Sequence, residues 1–237
     1  WDSAMVGCAH LDKERHQHVH ELVMEVRERF GLPELQMLMA PERRLIPTII
    51  GGDPTMVAIT TGMISAMSEA GLRFCIGRTL ARLLLDDLRC DHICRVVLQR
   101  SPTSITDVEE ALGDLLVRVA AGWDVGIDRE ALIKTGKFAH AWEQRAILSA
   151  DRGGLLISGD LDASCLAIAQ GTARDSDKAS GMKLADLINE YRGQDPQSLG
   201  TIPAKEDPVR SAPYGAYRIL MLRWWAKSAQ YAQLTSA

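Results

Sequence analysis

The stretch "SEAGLRFCIGRTLARLLLDDLR", residues 68–89, decides how the rest of the chain is read. Within residues 71–85, eleven of fifteen positions are apolar or glycine, and the exceptions are Arg73, Arg78, Thr79 and Arg82. At about 100° per residue, positions 78, 79 and 82 share one helical face while Arg73 points elsewhere. A helix that is apolar nearly all round is a buried helix. The spacing therefore predicts a buried helix, with Ser68 as a fair N-cap, whose three polar side chains line an internal cleft. Two like charges at i,i+4 repel, so an acid or an anion is expected to compensate them. On periodicity alone a second reading stays open, in which both arginines lie at a surface groove and reach to water.

Upstream, Val19, Leu22, Val23, Val26 and Phe30 fall at helical spacing between about Asp12 and Phe30, and Gly31 and Pro33 stop that helix. Three short β-like runs follow, "LQMLMA" (35–40), "RLIPTII" (44–50) and "TMVAIT" (55–60), separated by turn chemistry. Downstream, Thr106 and Glu109 stand at capping-box spacing before "ALGDLLVRVAAG". A long helix is expected from about Arg129 to Ile157, weakened near its end by "RGG", and another from Asp162. The segment "GTARDSDKASG" reads as a loop, "GQDPQSLGTIPAKEDPVRSAP" as irregular, and "YGAYRILMLRWWAKSAQY" as a closing helix. This order predicts an α+β fold, mostly helical, with a small sheet of about three strands, in one domain over residues 1–237.

The 237 residues suffice for a sizeable core. A formal net charge of −4 provides no global basic field, so no nucleic-acid partner is expected. No apolar run is long enough to span a bilayer. Five cysteines at scattered spacing, Cys8, Cys75, Cys90, Cys94 and Cys165, do not form a secreted disulfide framework, and a reducing, cytoplasmic setting is the default. The chain opens on Trp1 rather than Met, as expected of a piece of a longer protein.

The run "PTMVAITTGMISAMSEAGLRFCIGRTLARLL" resembles the core of the zinc metallopeptidases typified by the CAAX-prenyl protease and the HtpX heat-shock protease. In that family a strand and a "TSGL"-like turn precede "L-x-x-x-E-L-x-x-V-x-G-H-E-x-x-H". "HELVMEVRERFGLPELQMLMA" is similar to the preceding helix, its "GLP" break and the first strand. "IPTIIGG" stands where the family has "N-A-F-A-x-G", "WEQRAILSADRGG" resembles its "E-x-x-A-D-R" helix, and "SAPYGAYRILMLRWWAKS" its closing "T-H-P-x-x-x-x-R-I-x-x-L" element. The ordered similarity spans roughly residues 18–228 and implies a zincin-like domain.

In that family two helix histidines and a downstream glutamate hold zinc, and the motif glutamate is the general base. Carried over position by position, the resemblance puts Arg78 and Arg82 at the histidines, Thr79 at the base and Ile147 at the third ligand. Ile46 and Ala212 replace a further asparagine and histidine, while Gly77, Ala150, Asp151 and Arg152 match the family's scaffold. Arginine has no lone pair for a cation, so the resemblance implies a dismantled site without zinc. One guanidinium is then expected in the former metal position, held by a nearby acid. Glu143 is the first candidate, with Asp87 and Asp151 as others, because a buried unpaired charge costs several kcal/mol. The competing expectation is an anion-binding cleft made by Arg78 and Arg82 for phosphate or a carboxylate.

Other constellations are weaker. His16 and His20 share a helix face near Cys8, His10 and His18, where solvated histidines are the commoner outcome. Cys90, His92 and Cys94 lack a second pair to complete a tetrahedral site, so packing is favoured. No phosphate loop or nucleophile elbow is present. The tryptophan-rich tail has the composition for membrane-surface contact, but its place in the family pattern favours packing on the domain; an exposed Trp224 or Trp225 would point to a protein interface. The expectation is thus a catalytically inactive metallopeptidase-like module with a protein or peptide partner, with "TMVAIT" as the strand edge for an added peptide. The alternatives are an active zinc peptidase with displaced ligands, or an anion-binding domain.

Overall fold

A computed structural model describes residues 9–11, 14, 16–41, 45, 47–50, 54–85, 129–173, 176–200 and 212–236. Its elements are β1 (Ala9–His10), α1 (Gln17–Arg29), β2 (Leu35–Ala40), β3 (Thr48–Ile50), β4 (Thr55–Thr60), α2 (Thr61–Ala66) and α3 (Glu69–Leu84). They continue with α4 (Arg129–Ser158), α5 (Leu161–Gly171), α6 (Ser176–Ser180), α7 (Leu184–Glu190), α8 (Pro196–Leu199), α9 (Ala212–Trp225) and α10 (Ala229–Thr235). This is an α+β, mostly helical fold. The expected helix after Thr106, the Cys90–His92–Cys94 group, Cys8, Ile46 and Asp87 lie outside the described residues, as does the side chain of Ala212.

The chain gathers into two compact units. Residues 1–85, 148–202 and 206–237 make the first; residues 86–147 and 203–205 make the second. The sheet belongs to the first unit and has four strands in the order β1-β2-β4-β3, one more than expected. The addition is the two-residue β1, which pairs antiparallel with β2 through Ala9↔Met39 and His10↔Leu38. β2 and β4 run parallel from Leu35↔Thr55 to Ala40↔Thr60, and β3 pairs antiparallel with β4. "TMVAIT" is therefore an interior strand with both edges paired, not the free edge expected for an added peptide. Its continuous burial from Val57 to Thr60 reflects that central place.

α1 lays Val19, Leu22, Val23 and Val26 into one core with Val57 and Ile59 of the sheet and Ile76 and Leu80 of α3. Leu72, Phe74 and Cys75 of α3 join a second core with Leu155, Cys165, Ile168, Ile219 and Leu222. α3 is buried nearly all round because it lies between these two cores, and each such aliphatic side chain contributes about 1.5–3 kcal/mol. Arg73 faces outward and grips Glu25 of α1, with Nη1 2.6 Å from its carboxylate.

Boundaries follow local chemistry. The Thr60 hydroxyl accepts from Met63 N–H at 3.2 Å and starts α2; the Ser68 hydroxyl accepts from Gly71 N–H at 3.2 Å and starts α3. α5 begins at Leu161, capped by Asp160. "GTARDSDKASG" differs from the loop reading, because it contains α6. Buried Gln170 donates Nε2–H to the Ala66 and Ala179 carbonyls, which ties the ends of α2 and α6 to α5. "QDPQSLG" likewise holds the short α8, whose first-turn Ser198 N–H is accepted by Asp195 at 3.2 Å.

Candidate functional site

Three helices converge on one carboxylate within the first unit. α3 supplies Arg78, α4 supplies Asp151 and α9 supplies Arg218. The Ser68 cap sets the phase of α3 so that Arg78 falls one turn beyond Phe74 and Cys75. α4 approaches α3 closely because glycines stand at the crossing: Gly77 faces Ile157, Gly153 faces Ala81 and Gly154 faces Phe74. On α9, Arg218 sits beside Ile219 and one turn from Leu222 and Tyr214, all buried.

Arg218 Nε donates to Asp151 Oδ2 at 2.8 Å and its Nη2 to Oδ1 at 2.8 Å, a two-point fork that fixes the carboxylate plane. Arg78 Nε donates to Oδ1 at 2.7 Å. Exposure is 6 % for Arg78, 1 % for Asp151 and 2 % for Arg218, so solvent screens this cluster little. Burial works against the Arg218 charge, but attraction and hydrogen bonding from Asp151 outweigh it and the guanidinium pKa is raised. Arg78 is lowered by burial and by the Arg218 charge, with Asp151 opposing. The difference follows the geometry, since Arg218 has two bonds to Asp151 and Arg78 has one. Both stay cationic at neutral pH because guanidinium titrates so far above it.

Thr79 is buried and Arg82 half-buried on α3. Ile147 is buried and Glu143 half-buried one and two turns before Asp151 on α4, and both belong to the second unit. Of the acids expected to hold Arg78, the described hydrogen bonds join it to Asp151. Arg218 lies in the stretch that resembles the "R-I-x-x-L" element and is not among the site residues expected from the sequence. The signal was available: a cation inside the apolar run "RILMLRWW" repeats the anomaly that singles out Arg78.

These residues do not fit a zinc ion. Guanidiniums at 78 and 82 offer no lone pair, and Thr79 is no base near neutral pH. Among the described residues no three His, Cys, Asp or Glu side chains are grouped to hold a metal. His10 and His20 instead line a cleft of about 390 Å³ with Met24, Arg27, Glu34 and Gln36, and His18 is exposed.

Two thiols lie near the cluster. Burial pushes Cys75 up to about 12 and Cys165 up to about 11. A pKa raised in the folded state means that the unfolded chain releases protons first as pH climbs. Stability is then full below pH 9 and is lost as pH rises toward about 11 to 12, by about 1.4 kcal/mol per pH unit per thiol. Urea unfolding at pH 7.5 and pH 10 is expected to show this fall, reduced by Cys75→Ala; an unchanged pH slope in that variant would contradict the burial of Cys75.

No protein-family model matches the chain, and no curated protein or solved structure matches it.

Proposed function

We propose that the chain is a catalytically inactive metallopeptidase-like domain that acts as a protein-interaction, scaffold or regulatory module. One observation carries this reading. A guanidinium anchored on a buried carboxylate, Arg78 on Asp151, stands at the position that the resemblance assigns to the first zinc-ligating histidine. A fixed cation there takes the electrostatic place of a metal without its Lewis-acid chemistry, and the scaffold aspartate of "A-D-R" is the group that holds it. The buried pair thus serves architecture rather than turnover.

The interaction role draws on the last helices. Trp225 is buried, with the Arg152 guanidinium 5.6 Å from its ring centre and its Nε1–H donated to Gln230 at 3.1 Å. Trp224 is 69 % exposed and Leu220, one turn earlier, is 42 % exposed. Tryptophan on an open face is the side chain type that most often anchors a protein partner. This face is therefore read as meeting protein; among the described residues no helix is long and apolar enough to cross a membrane.

The test uses the purified chain in two readouts. Elemental analysis is expected to find zinc well below one equivalent, with no chelator-sensitive cleavage of an unfolded protein substrate. A cross-linked partner is expected to be retained by the wild type and lost with Trp224→Glu. Stoichiometric zinc with chelator-sensitive cleavage would instead establish an active peptidase with displaced ligands.

A further inference from the structure

The Arg78–Asp151–Arg218 cluster is unbalanced. Two guanidiniums meet one carboxylate, which leaves one positive charge in a place shielded from solvent. Among the described residues, the neighbouring Cys75 thiol and Tyr214 phenol do not supply the missing negative charge, because burial pushes both upward and keeps them neutral. Arg82, the next cation along α3, adds to the repulsion on Arg78. A buried charge without compensation costs several kcal/mol, which favours a further negative group here.

The geometry shows where that group fits. Arg78 spends only Nε on Asp151, and its two Nη groups donate to no protein group among the described residues. The same side chain lines a crevice of about 10 Å³ with Arg218, Cys75, Pro47, Ile168 and Gly171. That volume accommodates roughly one water-sized occupant. Among the described residues the other walls are apolar, glycine or the Cys75 thiol, so the charged contacts for an occupant come from the guanidiniums. We propose that this crevice is a binding site for one small monovalent anion of chloride size, held by the Nη edge of Arg78 beside Arg218, which completes the charge balance of the cluster. The site differs from a cleft between Arg78 and Arg82, since the second guanidinium comes from α9. The inference stands on the first unit's geometry and is independent of any relation to peptidases.

The experiment titrates the intact chain with sodium chloride against sodium gluconate at constant ionic strength and follows the unfolding midpoint. Binding to the folded state raises the midpoint by roughly 3–5 °C for each tenfold rise in chloride above its dissociation constant. Arg78→Met, which leaves Asp151 paired with Arg218, is expected to abolish that dependence. Crystals of the unaltered chain grown in bromide are expected to show an anomalous peak within hydrogen-bond distance of the Arg78 Nη groups, and this measurement decides the matter if the variant does not fold. Equal midpoints in chloride and gluconate, the same chloride response in Arg78→Met, or bromide absent from the crevice would each overturn the proposal and leave a water as the occupant.

Discussion

Asp151→Ala is expected to lower stability by about 3–5 kcal/mol, the cost of removing one partner from a buried ion pair. For a chain of this length that is a fall of roughly 6–20 °C in the unfolding midpoint. The loss is large because a single carboxylate serves two guanidiniums. Its removal strands three charge-assisted hydrogen bonds, from Arg78 Nε and from Nε and Nη2 of Arg218. The same physics makes a second, less intuitive forecast. The triple variant Asp151→Ala, Arg78→Met, Arg218→Met should be more stable than Asp151→Ala alone, because apolar side chains of similar volume carry no desolvation penalty. Asp162 provides the control. It also faces an arginine, Arg223 at 3.3 Å, but at an exposed position, and Asp162→Ala should cost under about 1 kcal/mol. Urea unfolding of the four proteins ranks them. If Asp151→Ala proves no worse than Asp162→Ala, the cluster does not hold three helices together.

How much of this was legible beforehand differs between the two halves of the site. The α3 half is readable, since an apolar helix with Arg78 in its middle demands a buried partner, and Asp151 is among the acids expected for it. The α9 half is not, because helical spacing places residues on a face but does not say which distant helix that face meets. Arg218 lies 67 positions beyond Asp151, and only tertiary packing joins them. The sheet shows the same limit. The runs at 35–40 and 55–60 were recognisable by composition, but the parallel pairing of β2 with β4, which turns "TMVAIT" into an interior strand, is a long-range choice. Short helices inside polar segments were invisible for another reason. α6 is bonded through its Ala179 carbonyl to buried Gln170, and its "SDKAS" sequence carries no apolar stripe to announce it.

Gly154→Ala should be a damaging methyl addition on α4, because its Cβ would meet the backbone of α3. The pair "GG" at 153–154 reads as helix-weakening, and in an exposed helix replacing glycine by alanine would stabilise by about 1 kcal/mol. Here the sign reverses. A Cβ on Gly154 would lie 2.7 Å from the Phe74 carbonyl oxygen and 2.8 Å from Cδ2 of its ring. The oxygen belongs to the backbone of α3 and cannot swing away, so the two helices must separate or shift. Overpacking of this kind costs about 1–3 kcal/mol, and because α4 and α3 carry Asp151 and Arg78, separation also stretches the 2.7 Å bond between them. Gly181, whose added Cβ would meet nothing nearer than 4.0 Å, is the reference, and Gly181→Ala should change stability by less than about 0.5 kcal/mol. Thermal unfolding of the two variants separates helix propensity from close approach. A Gly154→Ala chain as stable as the wild type would mean that α3 and α4 do not cross at these glycines, and the placement of the carboxylate beneath Arg78 would lose its structural basis.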